Sequence, residues 1–155
     1  MTTTAYYFDT KEITDESLPI KDVVSNWNYE NIIDNKDDRV SYIGSWFESS
    51  TTPGYYGLNY MYELNTGKGD KFVVVDLDAV ASSYEVYFYS PFDSSFASNV
   101  PVSIVHTKGI TQLDVNQQII SSDWKYVGLY DLDKNSQVVV GNKDTDGFVI
   151  FDAIK

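Results

Sequence analysis

The chain contains no cysteine and a single histidine among its 155 residues. The lack of cysteine excludes disulfides, thiolate nucleophiles, zinc knuckles and iron–sulfur clusters. A Ser-His-Asp triad would have to use His106, but the sequence has no Gly-x-Ser-x-Gly elbow, and His106 is expected at the solvated end of a strand. These residue types therefore predict neither a nucleophilic enzyme nor a transition-metal site.

Positive charge is also scarce. The chain has 11 Lys and Arg residues against 23 Asp and Glu residues, which gives a formal net charge of −12. Because no basic cluster could displace counterions from phosphates, nucleic acid is excluded as a partner, and an anionic membrane surface is disfavoured. The longest apolar runs have the length of strands, so membrane insertion is not expected. The first residues lack the features of a signal peptide, which leaves the compartment open.

Gly, Ser, Thr, Asn, Asp and aromatic residues are abundant, and this composition favours an all-β domain. Residues 1–30 are polar with weak periodicity and are predicted to form an N-terminal extension or arm. Strand signals follow one another from residue 31 at the spacing of a sandwich. We expect strands at 39–47, 58–64, 71–77, 83–90, 100–106, 110–116, 124–132, 137–141 and 148–154. This series predicts a jelly-roll-like antiparallel β-sandwich over residues 31–155.

Two turns predict hairpins. Lys108-Gly109 should join its two flanking strands, and the turn at 142–147 should form a second hairpin that ends in the strand 148–154. That last strand is apolar almost throughout, which predicts a central position in a sheet with both faces covered.

The segment from Ser49 to Tyr60 has the composition of a ligand-facing loop. Small turn residues hold its backbone, while its tyrosines offer flat rings that can stack on the apolar faces of sugars and form hydrogen bonds through their hydroxyls. We therefore predict that this loop binds a glycan or polysaccharide. The predicted ligand-binding residues are Tyr55, Tyr56, Asn59, Tyr60 and Trp124. The alternative is that the tyrosines are half-buried strand ends that cover the rim of the sheet.

Asp152 is predicted to be buried and structural, because it lies within the apolar strand 148–154. A buried carboxylate needs a partner. Backbone amides at the end of the sheet are the first candidate, and a structural calcium ion held jointly with Asp34 is the second. The expected cofactors are therefore none or one structural calcium. The acidic turn at 131–135 begins like a calcium loop, but Ser136 replaces the glycine of that motif, which excludes an EF-hand.

Several short segments occur in a fixed order along residues 31–155: Asp34-Asn35, Tyr42–Trp46, Pro53–Gly57, Tyr84–Tyr87, Asn99–Ile104, Val115–Gln118, Trp124–Gly128 and Asp146–Ala153. Together they resemble the golvesin C-terminal-like domain, also described as a xanthan-lyase carbohydrate-binding-like domain. The resemblance implies a β-sandwich accessory domain that is regarded as glycan-binding and is usually attached to larger secreted or cell-surface proteins.

A non-catalytic carbohydrate-binding or surface-recognition module is therefore the predicted function. The paired aspartates at i, i+2 point to one strand face and do not form the two opposed carboxyls of a glycosidase, so no enzyme is expected. The alternative is a structural or adhesive subunit that self-assembles into a homo-oligomer through the arm at 1–30 and the sheet edges.

Overall fold

The computed structural model describes residues 30–155, so the predictions for the arm, apart from Glu30, lie outside the described residues. Residues 31–155 form a compact unit of their own. The described part contains twelve strands and no helix, hence none that could cross a membrane. The strands are β1 (Ile33–Asp34), β2 (Val40–Ile43), β3 (Phe47–Ser49), β4 (Tyr60–Tyr62), β5 (Phe72–Asp76), β6 (Ser82–Ser90), β7 (Val100–His106), β8 (Gly109–Val115), β9 (Asp123–Leu132), β10 (Gln137–Gly141), β11 (Ile150–Phe151) and β12 (Ala153–Ile154).

Two antiparallel sheets form the sandwich. The four-stranded sheet has the order β1-β12-β6-β9, and the five-stranded sheet has the order β2-β5-β10-β7-β8. The predicted hairpin around Lys108-Gly109 is confirmed, because β7 pairs with β8 from Val100↔Val115 to His106↔Gly109. The all-β, jelly-roll-like sandwich predicted from the strand pattern is thus the observed fold class.

The core lies between these two sheets. Side chains alternate across a strand, so every second residue points inward. Val73 and Val75 of β5 are fully buried, and Val86 and Phe88 of β6 are 4% and 5% exposed in the same cluster. Each such side chain contributes roughly 1.5–3 kcal/mol by leaving water. The other strands add Val102, Ile104, Val138, Val140 and Ile154 to this cluster.

A third, smaller sheet has the order β11-β4-β3. It corrects the prediction of one central strand at 148–154, because the chain passes between two sheets at Asp152. β11 pairs with β4 at the edge of the small sheet, whereas β12 lies between β1 and β6. The central position is confirmed for β12 and wrong for β11. The predicted hairpin with 137–141 is also wrong, because β10 pairs with β5 and β7.

The predicted strand at 39–47 is also divided between two sheets. Gly44 has a φ of +82°, in the left-handed region that favours glycine, and a Cβ there would lie 2.8 Å from Lys71 Cγ. The chain turns at this point, so β2 joins the five-stranded sheet and β3 joins the small one. This division sends the segment after β3 away from the main sandwich.

A buried polar network lies at the carboxyl end of β4. Glu63 is fully buried, and its carboxylate accepts hydrogen bonds from the backbone amides of Val149 (3.1 Å) and Thr66 (3.2 Å). Lys71 Nζ lies 3.2 Å from the same carboxylate and completes an ion pair. Asn142 Nδ2 adds a longer bond of 3.4 Å. The turn after β4 is therefore fixed to the sandwich by a charge with several donors.

Candidate functional site

The predicted ligand loop is the connection between β3 and β4. Two glycines hold it close to the sandwich. A Cβ on Gly57, whose φ is +64°, would lie 2.6 Å from Asp34 Oδ2, and a Cβ on Gly54, whose φ is +91°, would collide with the side chain of Ser122. Because other residues rarely adopt this backbone conformation and would also clash, the two glycines determine the path of the loop.

Asp152 anchors this loop from behind. Its side chain is 1% exposed, and its two carboxylate oxygens lie 3.2 and 3.0 Å from the backbone nitrogen of Tyr56, which donates to them. Burial raises the pKa of Asp152 to about 8; the Tyr56 amide opposes this rise, and the negative charge of Asp34 adds to it. The prediction that Asp152 is buried is confirmed by this geometry. Its hydrogen-bond partner is a single loop amide.

The predicted calcium would sit between Asp34 and Asp152. Asp34 pairs in register with Ala153, so the two acidic residues belong to neighbouring positions of the sheet. Calcium takes roughly six to eight oxygen ligands, which two carboxylates alone do not supply. Within residues 30–155, no group of three or more acidic or histidine side chains could hold a metal ion. The residues present do not make a complete site, and calcium stays a prediction.

The tyrosines of the loop do not form one platform. Tyr60 is 3% exposed, and its ring centroid lies 6.2 Å from those of Phe96 and Tyr55. Tyr60 therefore does not provide the exposed ring that stacking on a sugar requires, and its role as a ligand-binding residue stays a prediction. Tyr55 is partly buried against the same cluster. Asn59 lies next to Tyr60 and donates to Glu48 Oε2 at 3.3 Å.

Tyr56 and Trp124 lie on a different surface, the outer face of the sheet that contains β6 and β9. Their ring centroids are 5.7 Å apart, and Trp124 also contacts Tyr89, its cross-strand partner, at 5.1 Å. Lys155 Nζ lies 5.0 Å from the Trp124 centroid, within cation–π range. We call this surface the outer aromatic cluster, formed by Tyr56, Tyr87, Tyr89, Trp124 and Tyr126. The five predicted residues are thus divided between two surfaces.

Asn59 and Tyr60 face a groove of about 640 Å³ beside the small sheet, which we call the β3–β4 groove. Its lining combines a run of hydroxyl side chains at 49–52 with the rings of Tyr62 and Phe148. Both rings are half-buried, so part of each faces the groove. Thr51 Oγ1 lies 3.5 Å from the Tyr60 hydroxyl, which places further polar atoms at the same wall.

Two carboxylates line the groove. Glu48 forms an exposed ion pair with Lys36. Asp93 Oδ1 accepts hydrogen bonds from the backbone amide (2.9 Å) and hydroxyl (2.7 Å) of Ser95. These bonds lower the pKa of Asp93, so its carboxylate is ionised at neutral pH. The groove therefore offers hydroxyl donors and acceptors, aromatic surface and negative charge.

Local sequence patterns did not indicate that Tyr62, Phe148 and Asp93 line the groove. A signal existed for Tyr62, because residues two apart on a strand share a face and Tyr60 was already a candidate. Asp93 and Phe148 come from other segments of the chain. A parallel β-bridge with Phe96 brings Phe148 to the groove, and no local sequence pattern predicts this pairing.

Known proteins share this fold. A xanthan lyase from Bacillus sp. (strain GL1) is 34% identical, in a match that covers 80% of this chain and 14% of the lyase. The structure of a Paenibacillus xanthan lyase has a TM-score of 0.76 at 32% identity, over 79% of this chain and 12% of that one. The chain thus spans a small part of the length of these enzymes.

A structure of a single module is similar as well. The family 35 carbohydrate binding module from Clostridium thermocellum has a TM-score of 0.53 at 12% identity, over 81% of this chain and 98% of the module. This likeness shows the β-sandwich fold alone. The family model of the Golvesin C-terminal domain matches residues 31–155, which confirms the resemblance drawn from the ordered segments. The chain belongs to the Golvesin C-terminal domain family.

Proposed function

We propose that residues 31–155 are a non-catalytic module that binds a glycan in the β3–β4 groove. The observation that supports this most directly is the lining of the groove, in which the hydroxyl run at 49–52 meets the half-buried rings of Tyr62 and Phe148. Ligand sites in proteins commonly combine apolar surface with a few polar groups that fix orientation. A sugar has both an apolar C–H face and a rim of hydroxyls, so it matches both parts of this lining.

Each part of the groove has a separate task in this proposal. Tyr62 and Phe148 contact the C–H face of a sugar ring, as aromatic side chains do with apolar surfaces. Asn59 and the serine and threonine hydroxyls form hydrogen bonds with the sugar hydroxyls, because these groups can both donate and accept. One or two such rings predict affinities between about millimolar and micromolar.

The two carboxylates of the groove support a binding role better than glycoside hydrolysis. A glycosidase needs a general acid whose pKa is raised, opposite a second carboxylate. The pKa of Asp93 is lowered instead, by its bonds from Ser95. Glu48 is paired with Lys36 and accepts from Asn59. Asp93 is therefore not placed as the protonated acid of such a reaction.

The relatives add support from outside the chain. Two of them are named as xanthan lyases, and a third is a carbohydrate binding module with the same fold. On this basis we also propose that the module acts outside the cell, in a secreted or cell-surface protein.

The test replaces one ring on each surface. Tyr62→Ala should raise the Kd for retained polysaccharides about five- to tenfold, because one stacked ring contributes roughly 1 kcal/mol. Tyr126→Ala is the matched control, since Tyr126 is 50% exposed in the outer aromatic cluster. Binding is measured by affinity electrophoresis in gels containing galactan, xylan, mannan or β-glucan, with melting temperatures to verify folding.

The possible results separate the hypotheses. A loss of binding in Tyr126→Ala, with Tyr62→Ala unchanged, would assign the ligand to the outer aromatic cluster and contradict the groove. If none of the polysaccharides retains the wild-type protein, glycan binding itself is contradicted. Self-assembly would then be the next function to test, by solution mass with and without residues 1–29.

A further inference from the structure

The charge of the β3–β4 groove has one sign. Among the described residues that line it, Glu48 and Asp93 are acidic and none is lysine, arginine or histidine. The whole chain has a formal net charge of −12, so the surrounding field adds to this local charge. The lysine beside the groove, Lys36, is held in an ion pair with Glu48, so the described lining itself offers an anionic ligand no cation.

The two carboxylates differ in how their charge is balanced. Lys36 lies against Glu48 in an exposed ion pair and offsets part of its charge. Asp93 receives its hydrogen bonds from the uncharged amide and hydroxyl of Ser95. Those bonds provide Oδ1 with hydrogen-bond donors, but they do not neutralise the negative charge of the Asp93 carboxylate. Asp93 is thus the main source of negative potential in the groove.

We propose, as a refinement that rests on the proposed function, that the groove prefers uncharged glycans and binds glycans that carry carboxylate or sulfate groups more weakly. Asp93 acts as the specificity-determining residue. Its carboxylate accepts hydrogen bonds from the hydroxyls of a neutral sugar, and such charge-assisted bonds are stronger than neutral ones. The same carboxylate repels an acidic substituent.

The expected size of the discrimination follows from Coulomb's law. Two unit charges of the same sign about 6 Å apart, at an effective dielectric constant of roughly 40–80, weaken binding by a factor of about three to ten. The hydroxyls at 49–52 do not reverse this, because they donate and accept without net charge. Salt screens such repulsion, so the discrimination should shrink as ionic strength rises.

The experiment compares matched polysaccharides. Galactan, xylan, mannan and β-glucan are each used unmodified, carboxymethylated to a low degree, and hydroxyethylated to the same degree. The hydroxyethyl group is close in size to carboxymethyl and has no charge, so it controls for steric hindrance. We expect retention of the unmodified and hydroxyethylated forms, and a Kd about three- to tenfold higher for the carboxymethylated form at low salt.

Variants then locate the effect. Asp93→Asn keeps an oxygen that can accept from Ser95 and should bring the carboxymethylated and hydroxyethylated forms to within about twofold of each other. Asp114→Asn makes the same change of net charge at an exposed position of β8 outside the groove lining and should leave the discrimination unchanged. The melting temperature of each variant verifies folding.

Each outcome decides between the two proposals. Equal or stronger binding of the carboxymethylated form would overturn the selectivity and leave glycan binding in place. An equal effect of Asp93→Asn and Asp114→Asn would also overturn it, since the net charge and not the groove would then discriminate. No binding of any form would remove the proposed function and the selectivity together.

Discussion

Glu63 and Asp152 are both carboxylates with at most 1% exposure; Glu63 directly follows β4, and Asp152 lies between β11 and β12. Glu63 has the positive charge of Lys71 at 3.2 Å and a backbone amide from Val149 at 3.1 Å. Asp152 has one amide, from Tyr56, and the negative charge of Asp34 nearby. Burial is the same in both regions, whereas the number and charge of the partners differ.

This difference separates a scaffold from a loop anchor. A buried charge with several donors and a cation is stabilised in its ionised form, and removal of either partner leaves a costly unpaired charge. A buried carboxylate without a cation is neutralised by protonation instead, which is the direction of the raised pKa of Asp152. The Glu63 region therefore fixes the turn after β4 to the sandwich, while Asp152 holds the predicted ligand loop by a weaker, pH-dependent bond.

The largest effect on stability is expected when the Glu63 carboxylate is removed. Glu63→Ala should lower the free energy of unfolding by about 3–5 kcal/mol, because it leaves Lys71 buried without its counter-charge. Urea denaturation measures this loss. Glu85→Ala, at an exposed position of β6, is the control and should stay within about 0.5 kcal/mol of wild type. The double variant Glu63→Met/Lys71→Met should recover part of the loss. A cost below about 1 kcal/mol for Glu63→Ala would contradict the scaffold role.

The next largest effect on stability is expected when the Asp152 carboxylate is removed. Asp152→Ala should cost about 1–3 kcal/mol, since the Tyr56 amide loses its acceptor in a buried place. Asp152→Asn should cost less than about 1 kcal/mol at pH 7, because it keeps an oxygen acceptor and resembles the protonated acid. Denaturation curves of the two variants measure the difference. Equal losses for Asn and Ala would contradict a protonated Asp152 at pH 7.

The smallest effect is a pH dependence that sharpens the comparison. The pKa of Asp152 is raised from 3.8 to about 8. Between pH 3.8 and about pH 8, the folded state therefore keeps a proton on Asp152 that the unfolded state has released. Stability therefore falls as pH rises through this window and levels off above the folded pKa. From about pH 7 to pH 9 we expect a loss of roughly 1–2 kcal/mol in EDTA, absent in Asp152→Asn.

Added calcium tests the remaining alternative in the same titration. A cation bound by Asp34 and Asp152 would stabilise the ionised form and raise the melting temperature above pH 8, since it binds only the folded state. Insensitivity to both EDTA and calcium would leave the Tyr56 amide as the sole partner of Asp152. A wild-type pH profile that matches Asp152→Asn would contradict the raised pKa.

The fold could be predicted largely from the sequence, and the exceptions have a common cause. Alternation reports which residues are half-buried, so strands such as β6 and β7 were found close to their observed bounds. Alternation does not report which sheet a strand joins. The divisions at Gly44 and Asp152 each send one predicted strand into two sheets, and the choice is made by packing partners far away in the chain.

The candidate site was predictable only in part. Composition identified the loop between β3 and β4, because glycines and tyrosines mark turns and amphipathic surface within one segment. It could not show that Tyr56 faces the outer aromatic cluster while Tyr60 enters the core. Asp93 and Phe148 meet the loop from other segments, and their approach depends on the completed sandwich.

The sequence by itself determined the all-β class, the acidic charge and the family, and it supplied the prediction of a ligand loop. These follow from residue types and their local order. The tertiary structure alone decided which rings are exposed, which carboxylate has a cation beside it and where the groove lies. Those properties depend on the distances between residues that are remote in the chain, and burial, ionisation and stacking are all set by such distances.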